Sequence, residues 1–184
     1  MHPSTLLPAA LWASLIYAIP SCAETVNRTA TNGYGSTPSE RHYINHTQAL
    51  TVINSGIAKA IEINVPMNIA VLDPSATLVA FIHMDNSYLG SIDISQKKAK
   101  TVADFNGLFQ SSGLYNRSQT LPGSDVYGIE QTNGGLVVFG GGQPIYDPMG
   151  YFIGAVGVSG GSVPQDVEVS TAAAEGVGST IVSA

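Results

Sequence analysis

The sequence predicts an α+β domain built on an antiparallel sheet covered by helices. Three observations carry that prediction. Two strand pairs are each joined by an Asp-Pro turn, Asp73-Pro74-Ser75-Ala76 and Asp147-Pro148-Met149-Gly150, so the strands arrive as hairpins rather than singly between helices. The strands beside these turns are β-branched or aromatic and apolar on both faces, as in a sheet buried on both sides. Two capping boxes, Thr37-Pro38-Ser39-Glu40 and Ser162-Val163-Pro164-Gln165, announce helix starts through reciprocal satisfaction of free amides.

Taken in order, residues 1–23 form an uncharged apolar stretch ending in Pro20-Ser21-Cys22-Ala23, the pattern of a signal peptide cut after Ala23. Lipid attachment at Cys22 is the alternative reading, with Pro20 awkwardly placed for it. Residues 24–36 are small and polar and read as a flexible leader, leaving 37–184 as a single domain. A first helix is expected from Thr37 to about Glu62, with Leu50, Ile53, Ile57 and Ile61 as its apolar stripe and Pro66 limiting its end. The first hairpin pairs 68–72 with 77–84. A second helix covers 91–105, with Ile92, Ala99, Val102 and Ala103 on one face, Asp93 in the first turn and three lysines later, matching the macrodipole. Residues 136–139 read as a short strand, and the second hairpin pairs 143–146 with 151–158. The last helix follows Ser162, with Asp166 and Glu168 in its first turn and Val167, Ala173, Ala174 and Val177 as its packing side. The likeness of the two Asp-Pro hairpins is read as convergent turn chemistry in preference to duplication.

Composition narrows the function. Of 184 residues 44% are hydrophobic and only 11% charged, which excludes a polyelectrolyte-like disordered chain. Seven Lys and Arg against thirteen Asp and Glu, a net charge of −6, argue against nucleic acid as a partner. Residues 1–23 carry no Asp, Glu, Lys or Arg, so cleavage leaves that charge unchanged. The single cysteine excludes a disulfide framework or a cysteine zinc site. Three sequons, at Asn27, Asn45 and Asn116, are compatible with glycosylation on a eukaryotic secretory route; in a bacterium the product would be periplasmic. No other long apolar segment follows, so no membrane association is expected after cleavage.

Few motifs carry chemistry. Gly140-Gly141-Gly142 and Gly160-Gly161 match neither a P-loop nor a dinucleotide fingerprint; the second pair precedes a helix N-terminus able to hold an anion, although tight turns explain such glycines as well. His42 and His46, four apart in the expected first helix, could form a metal pair or a solvated face. His83 closes the first hairpin beside a loop, where an imidazole can ligate iron, shuttle a proton or serve the structure. Asp85, Lys98 and Glu130 are polar residues set in apolar surroundings, readable as acid–base groups or as ion pairs. No nucleophile elbow, HExxH motif or retained thiol is present.

Ordered short runs then add up. Asn68-Ile69-Ala70-Val71-Leu72-Asp73, His83-Met84-Asp85, Ser91-Ile92-Asp93-Ile94 and Lys98-Ala99-Lys100-Thr101 are followed by Tyr127-Gly128-Ile129-Glu130, Gly140-Gly141-Gly142-Gln143-Pro144-Ile145 and Ile153-Gly154-Ala155-Val156-Gly157-Val158-Ser159-Gly160-Gly161. In order and spacing, from about residue 40 to 175, they resemble the GlcG/HbpS-like haem-binding family. The resemblance implies a profilin-like fold with a five-stranded antiparallel sheet, usually self-associating. It also implies a small-molecule ligand, with haem the leading candidate. Members are described as haem-binding or haem-degrading, some accompany glycolate use, and related modules are fused to corrinoid enzymes. Where the family commonly reads Arg-Met-Asp, this chain has His83-Met84-Asp85. That exchange removes a bidentate carboxylate partner and supplies a potential iron ligand.

The expected pocket lies between the end of the first hairpin, the start of the second helix at Ser91 and the triple-glycine loop at Gly141 and Gly142. His83 would ligate or hydrogen-bond the ligand, with Asp85, Lys98 and Glu130 orienting polar groups. Two other classes stay open: a cofactor-independent isomerase, cyclase or lyase using the same four residues as acids and bases, and a purely structural secreted oligomer.

Overall fold

The computed structural model describes residues 41–118 and 123–180. The expected signal peptide, leader, Thr37 capping box and Asn27 sequon lie outside the described residues, as does the side chain of Asn116. The elements run α1 (His46–Glu62), β1 (Asn68–Leu72), β2 (Leu78–His83), α2 (Gly90–Asp104), a 3-10 turn (Ser111–Leu114), the short α3 (Tyr115–Ser118), a second 3-10 turn (Ile129–Gln131), β3 (Gly142–Tyr146), β4 (Phe152–Ser159) and α4 (Val163–Glu175).

The four strands form one antiparallel sheet in the order β2-β1-β4-β3, so the two hairpins join through their inner strands. Both turns close alike. Asp73 Oδ1 accepts the amides of Ser75 and Thr77 at 2.8 and 3.0 Å, and Asp147 Oδ1 accepts those of Met149 and Tyr151, both at 2.9 Å. Each aspartate thereby satisfies its own turn's amides, the reason this residue suits the first turn position. The fifth strand is not formed. Residues 136–139 instead lie along α2, where the Val137 amide donates to the Thr101 hydroxyl at 3.0 Å and the Phe139 carbonyl accepts from Ser111 Oγ at 2.6 Å. Side-chain partners take the backbone groups that a strand ladder would use.

All five residues of β1 and all eight of β4 are buried, as expected for a sheet covered on both faces. One face packs Ile69, Val71, Val156 and Val158 against α1 and α4. The other packs Ala70, Leu72, Phe152 and Ala155 against Ala99, Val102 and Ala103 of α2. Gly157 sets that second contact: a Cβ there would lie 2.0 Å from the Ser95 carbonyl oxygen and 2.6 Å from the Ala99 nitrogen. Only a residue without a side chain lets α2 approach the sheet so closely.

Two helix expectations need correction. α1 starts at His46, and residues 41–45 are not helical; Asn45 is the N-cap, its Oδ1 accepting the Gln48 amide at 2.9 Å and its own amide donating to Gln48 Oε1 at 3.0 Å. Its buried face is Ala49, Val52, Ile53, Gly56 and Ala60, while Leu50 and Ile61 are exposed. The small residues win because α1 packs tightly on α4 and the sheet: a Cβ at Gly56 would meet Ile69 Cδ1 at 2.8 Å and the Ala173 Cβ at 3.2 Å. α4 begins as expected, with the Ser162 amide donating to Gln165 Oε1 at 2.9 Å. No helix among the described residues is long and apolar enough to cross a membrane.

Candidate functional site

Most of the residues singled out in the sequence gather at one end of the sheet. There β2, β1 and β4 place His83, Asn68 and Ser159 in a row, because Asn68 pairs with both of the others. The first residue of β1 is polar yet fully buried, and both ends of its side-chain amide are engaged. Asn68 Nδ2 donates to the Tyr88 carbonyl at 2.9 Å, which turns Oδ1 toward His83 Nδ1 at 2.7 Å. Ser87 donates its hydroxyl proton to the Met84 carbonyl at 2.7 Å, so its oxygen, 2.8 Å from Nδ1, is an acceptor too. Two acceptors facing Nδ1 place the proton there. Nε2 therefore keeps its lone pair, and it makes no hydrogen bond among the described residues. Exposed Tyr88 and Leu89 follow directly in the chain. Ser159 Oγ donates to Ser91 Oγ at 3.2 Å, tying β4 to the first turn of α2.

Beside this row α2 buries an uncommon polar stripe, Ser91, Ser95, Lys98 and Thr101, against the sheet. Lys98 is completely buried and Asp166 nearly so. The Lys98 ammonium donates to Asp166 Oδ2 at 2.6 Å and to the Val158 carbonyl at 2.8 Å, and lies 4.8 Å from the centroid of the Phe139 ring. Asp166 Oδ1 accepts the Gly160 and Gly161 amides at 3.1 and 3.0 Å. Burial pushes the lysine below its ordinary range and the carboxyl above its own, while their mutual attraction opposes both shifts. Gly141 and Gly142 close over the pair: a Cβ at Gly141 would sit 2.7 Å from Lys98 Nζ, and one at Gly142 would sit 2.5 Å from the Lys98 carbonyl oxygen. α2 and the triple-glycine loop thus meet around a sealed ion pair, whereas the end of the first hairpin, on the opposite edge strand, is separated from that loop by β1 and β4, so the expected shared pocket is not formed.

The remaining candidates stand apart. Asp85 is exposed and, with Met84 and Asn86, borders a 270 Å³ depression against the end of α1. Glu130 lies in the second 3-10 turn, with its Oε2 buried and without a hydrogen-bond partner among the described residues. His83, Asp85, Lys98 and Glu130 do not form one acid–base cluster, since Lys98 reaches no solvent and its ammonium is held by Asp166 and the Val158 carbonyl. The His42/His46 metal pair is also not formed. His42 precedes α1, stacks on Tyr151 with ring centroids 3.8 Å apart, and holds its Nδ1 3.4 Å from Asp147 Oδ2. Among the described residues no three His, Cys, Asp or Glu side chains come together as a metal site.

Asn68, Ser87 and Asp166 are the partners that pattern reading missed. Asp166 was readable only as a helix N-terminal acid. The clue was Lys98, since a lysine on a packing face requires a buried acceptor.

Such an antiparallel sheet, with two helices on one face and one on the other, defines a small α+β domain. The profile of the family described as "Haem degrading protein HbpS-like" matches residues 44–175, and the chain belongs to that family. It is 40% identical over 111 residues to an uncharacterized 15.0 kDa protein of the dhaT-dhaS intergenic region of Citrobacter freundii, covering 59% of this chain and 74% of that protein. Among solved structures, it is similar to the Klebsiella pneumoniae protein ORFY (TM-score 0.69, 31% identity, 77% of this chain and 95% of that one). It is similar also to a PduOC:haem complex (TM-score 0.67, 27% identity, 73% of this chain and 95% of that one).

Proposed function

We propose that this protein binds haem, with His83 Nε2 as the iron ligand. The observation that carries the reading is the pinned tautomer: Asn68 and Ser87 hold the proton on Nδ1, so the neutral imidazole offers Nε2 to a metal. The similarity to a protein crystallised as a haem complex supports it. Exposed apolar surface for a planar macrocycle is available on the loop that follows His83, where Tyr88 and Leu89 are both exposed and the Tyr88 carbonyl is held by Asn68, the partner of His83. Bound haem would supply a redox-active Lewis-acidic iron; the chain's own part is to present one oriented nitrogen. Export through cleavage after Ala23, glycosylation at Asn27, Asn45 and Asn116, and self-association belong to the same reading, as sequence patterns and family resemblance suggest.

Titration of haemin into purified protein tests the central claim. A shifted Soret band that is lost in His83→Ala is expected. Absence of any shift would sink haem as the ligand, and a shift unchanged by His83→Ala would sink the assignment of the iron ligand. A mass decrease on endoglycosidase treatment of protein from a eukaryotic secretory host, and an N-terminus at Glu24, test the secretory part.

A further inference from the structure

The triple-glycine loop borders a second concavity whose lining is separate from His83. It is an open concavity of about 770 Å³ bordered, among the described residues, by Ser112, Tyr115, Phe139, Gly140 and Val163, a volume within the range of small-molecule sites. Three segments distant in sequence build it, and two of them are fastened to the buried ion pair. The Phe139 ring faces the Lys98 ammonium, Val163 opens the helix that carries Asp166, and Gly140 lies against that helix. A Cβ at Gly140 would meet Val167 Cγ2 at 2.7 Å and Val163 Cγ1 at 3.1 Å, so glycine holds the loop to the helix there. Ser112 Oγ and Tyr115 Oη make no hydrogen bond among the described residues.

Phe139 gives this cavity its chemical preference. Lys98 is fully buried and does not line the cavity, so the ring stands between the ammonium and the open space. A cation near an aromatic ring draws π density toward itself, which leaves the rest of the ring a better partner for an electron-rich π system. Tyr115 adds a second aromatic wall, and the two hydroxyls can orient a polar substituent. We propose that this cavity binds a planar, electron-rich aromatic molecule bearing a hydroxyl group, stacked on Phe139, independently of the His83 site.

The probe is 2-naphthol, with decahydro-2-naphthol as its non-aromatic counterpart, titrated by NMR while the amides of Gly140 and Val163 are followed. Saturable binding of 2-naphthol below about 1 mM is expected, with about tenfold weaker binding of the saturated analogue. Phe139→Leu should weaken 2-naphthol binding by about tenfold, and Val163→Trp, at an exposed position, should fill the cavity and abolish it. Val163→Trp should leave the haemin titration unchanged. The proposal is overturned by no saturable binding, by equal affinity for the two probes, by binding that survives Val163→Trp in folded protein, or by loss of haemin binding in that variant.

Discussion

Lys98 Nζ and Asp166 Oδ2 lie 2.6 Å apart across 68 positions of sequence, in a place that solvent does not reach. One residue sits in α2 on one side of the sheet and the other in the first turn of α4, so the contact passes beyond the end of β4 and gathers both glycine loops around it. Removing two charges from water is costly, and the pair holds because both carboxylate oxygens find donors and the ammonium finds two acceptors in addition to the Phe139 ring. Its parts are therefore far less expendable singly than together.

Lys98→Met leaves a buried carboxylate without its cation and should lower stability by about 3–5 kcal/mol in urea denaturation. The double replacement Lys98→Met/Asp166→Leu should recover most of that loss. A double variant as unstable as the sum of the singles would show that the two residues act separately.

The pair also predicts a pH dependence. The folded-state value of Asp166 is raised, so above the ordinary carboxylate range the native state holds a proton that the unfolded chain has lost, and stability falls as pH rises through that window. The folded-state value of Lys98 is lowered, so just below the ordinary lysine range the unfolded chain holds the extra proton, and stability rises with pH. The stability of the wild type minus that of Lys98→Met/Asp166→Leu should accordingly pass through a minimum between about pH 4 and about pH 10. Urea midpoints across that range decide it; a maximum would contradict the dominance of burial.

Asn68 acts on the iron ligand from behind. Asn68→Ala removes the acceptor facing His83 Nδ1 and should weaken haemin binding by about 10–100-fold while retaining a Soret shift. His83→Ala should lose the shift altogether. Equal spectra and affinities for wild type and Asn68→Ala would remove the tautomer argument.

Gly157 is the tightest junction between α2 and the sheet. Gly157→Ala should cost about 3 kcal/mol, seen as a lowered Tm, because the new methyl group meets backbone atoms that cannot turn aside. By contrast, Leu50→Gln, on the exposed side of α1, should change stability by less than about 0.5 kcal/mol, whereas Ile69→Ala in the core should cost about 2–5 kcal/mol.

Local chemistry was legible from residue order. The Asp-Pro turns, the Ser162 capping box, the hairpins and the burial of β1, β3 and β4 on both faces each depend on neighbours a few positions apart, and the structure contains them, while edge strand β2, apolar in sequence, is only partly covered. The family was legible for a related reason, since ordered short runs preserve the spacing that one fold imposes. The extent of α1 and its buried face were not. Apolar spacing marks Leu50 and Ile61, but contact with α4 selects Ala49, Gly56 and Ala60, whose small size permits close approach. Residues 136–139 have strand-like composition, yet the hydroxyls of Thr101 and Ser111 claim their backbone groups.

For the polar residues, sequence alone determined which side chains were out of keeping with their surroundings, and His83, Lys98 and Glu130 were among them. Tertiary structure decided their roles. It joined Lys98 to Asp166 from the far end of the chain, and it set Asn68 behind His83 so that one imidazole nitrogen stays available. The physical reason is that a hydrogen bond is settled within about 3 Å of space, whatever the distance along the chain, and only the folded sheet brings these partners that close.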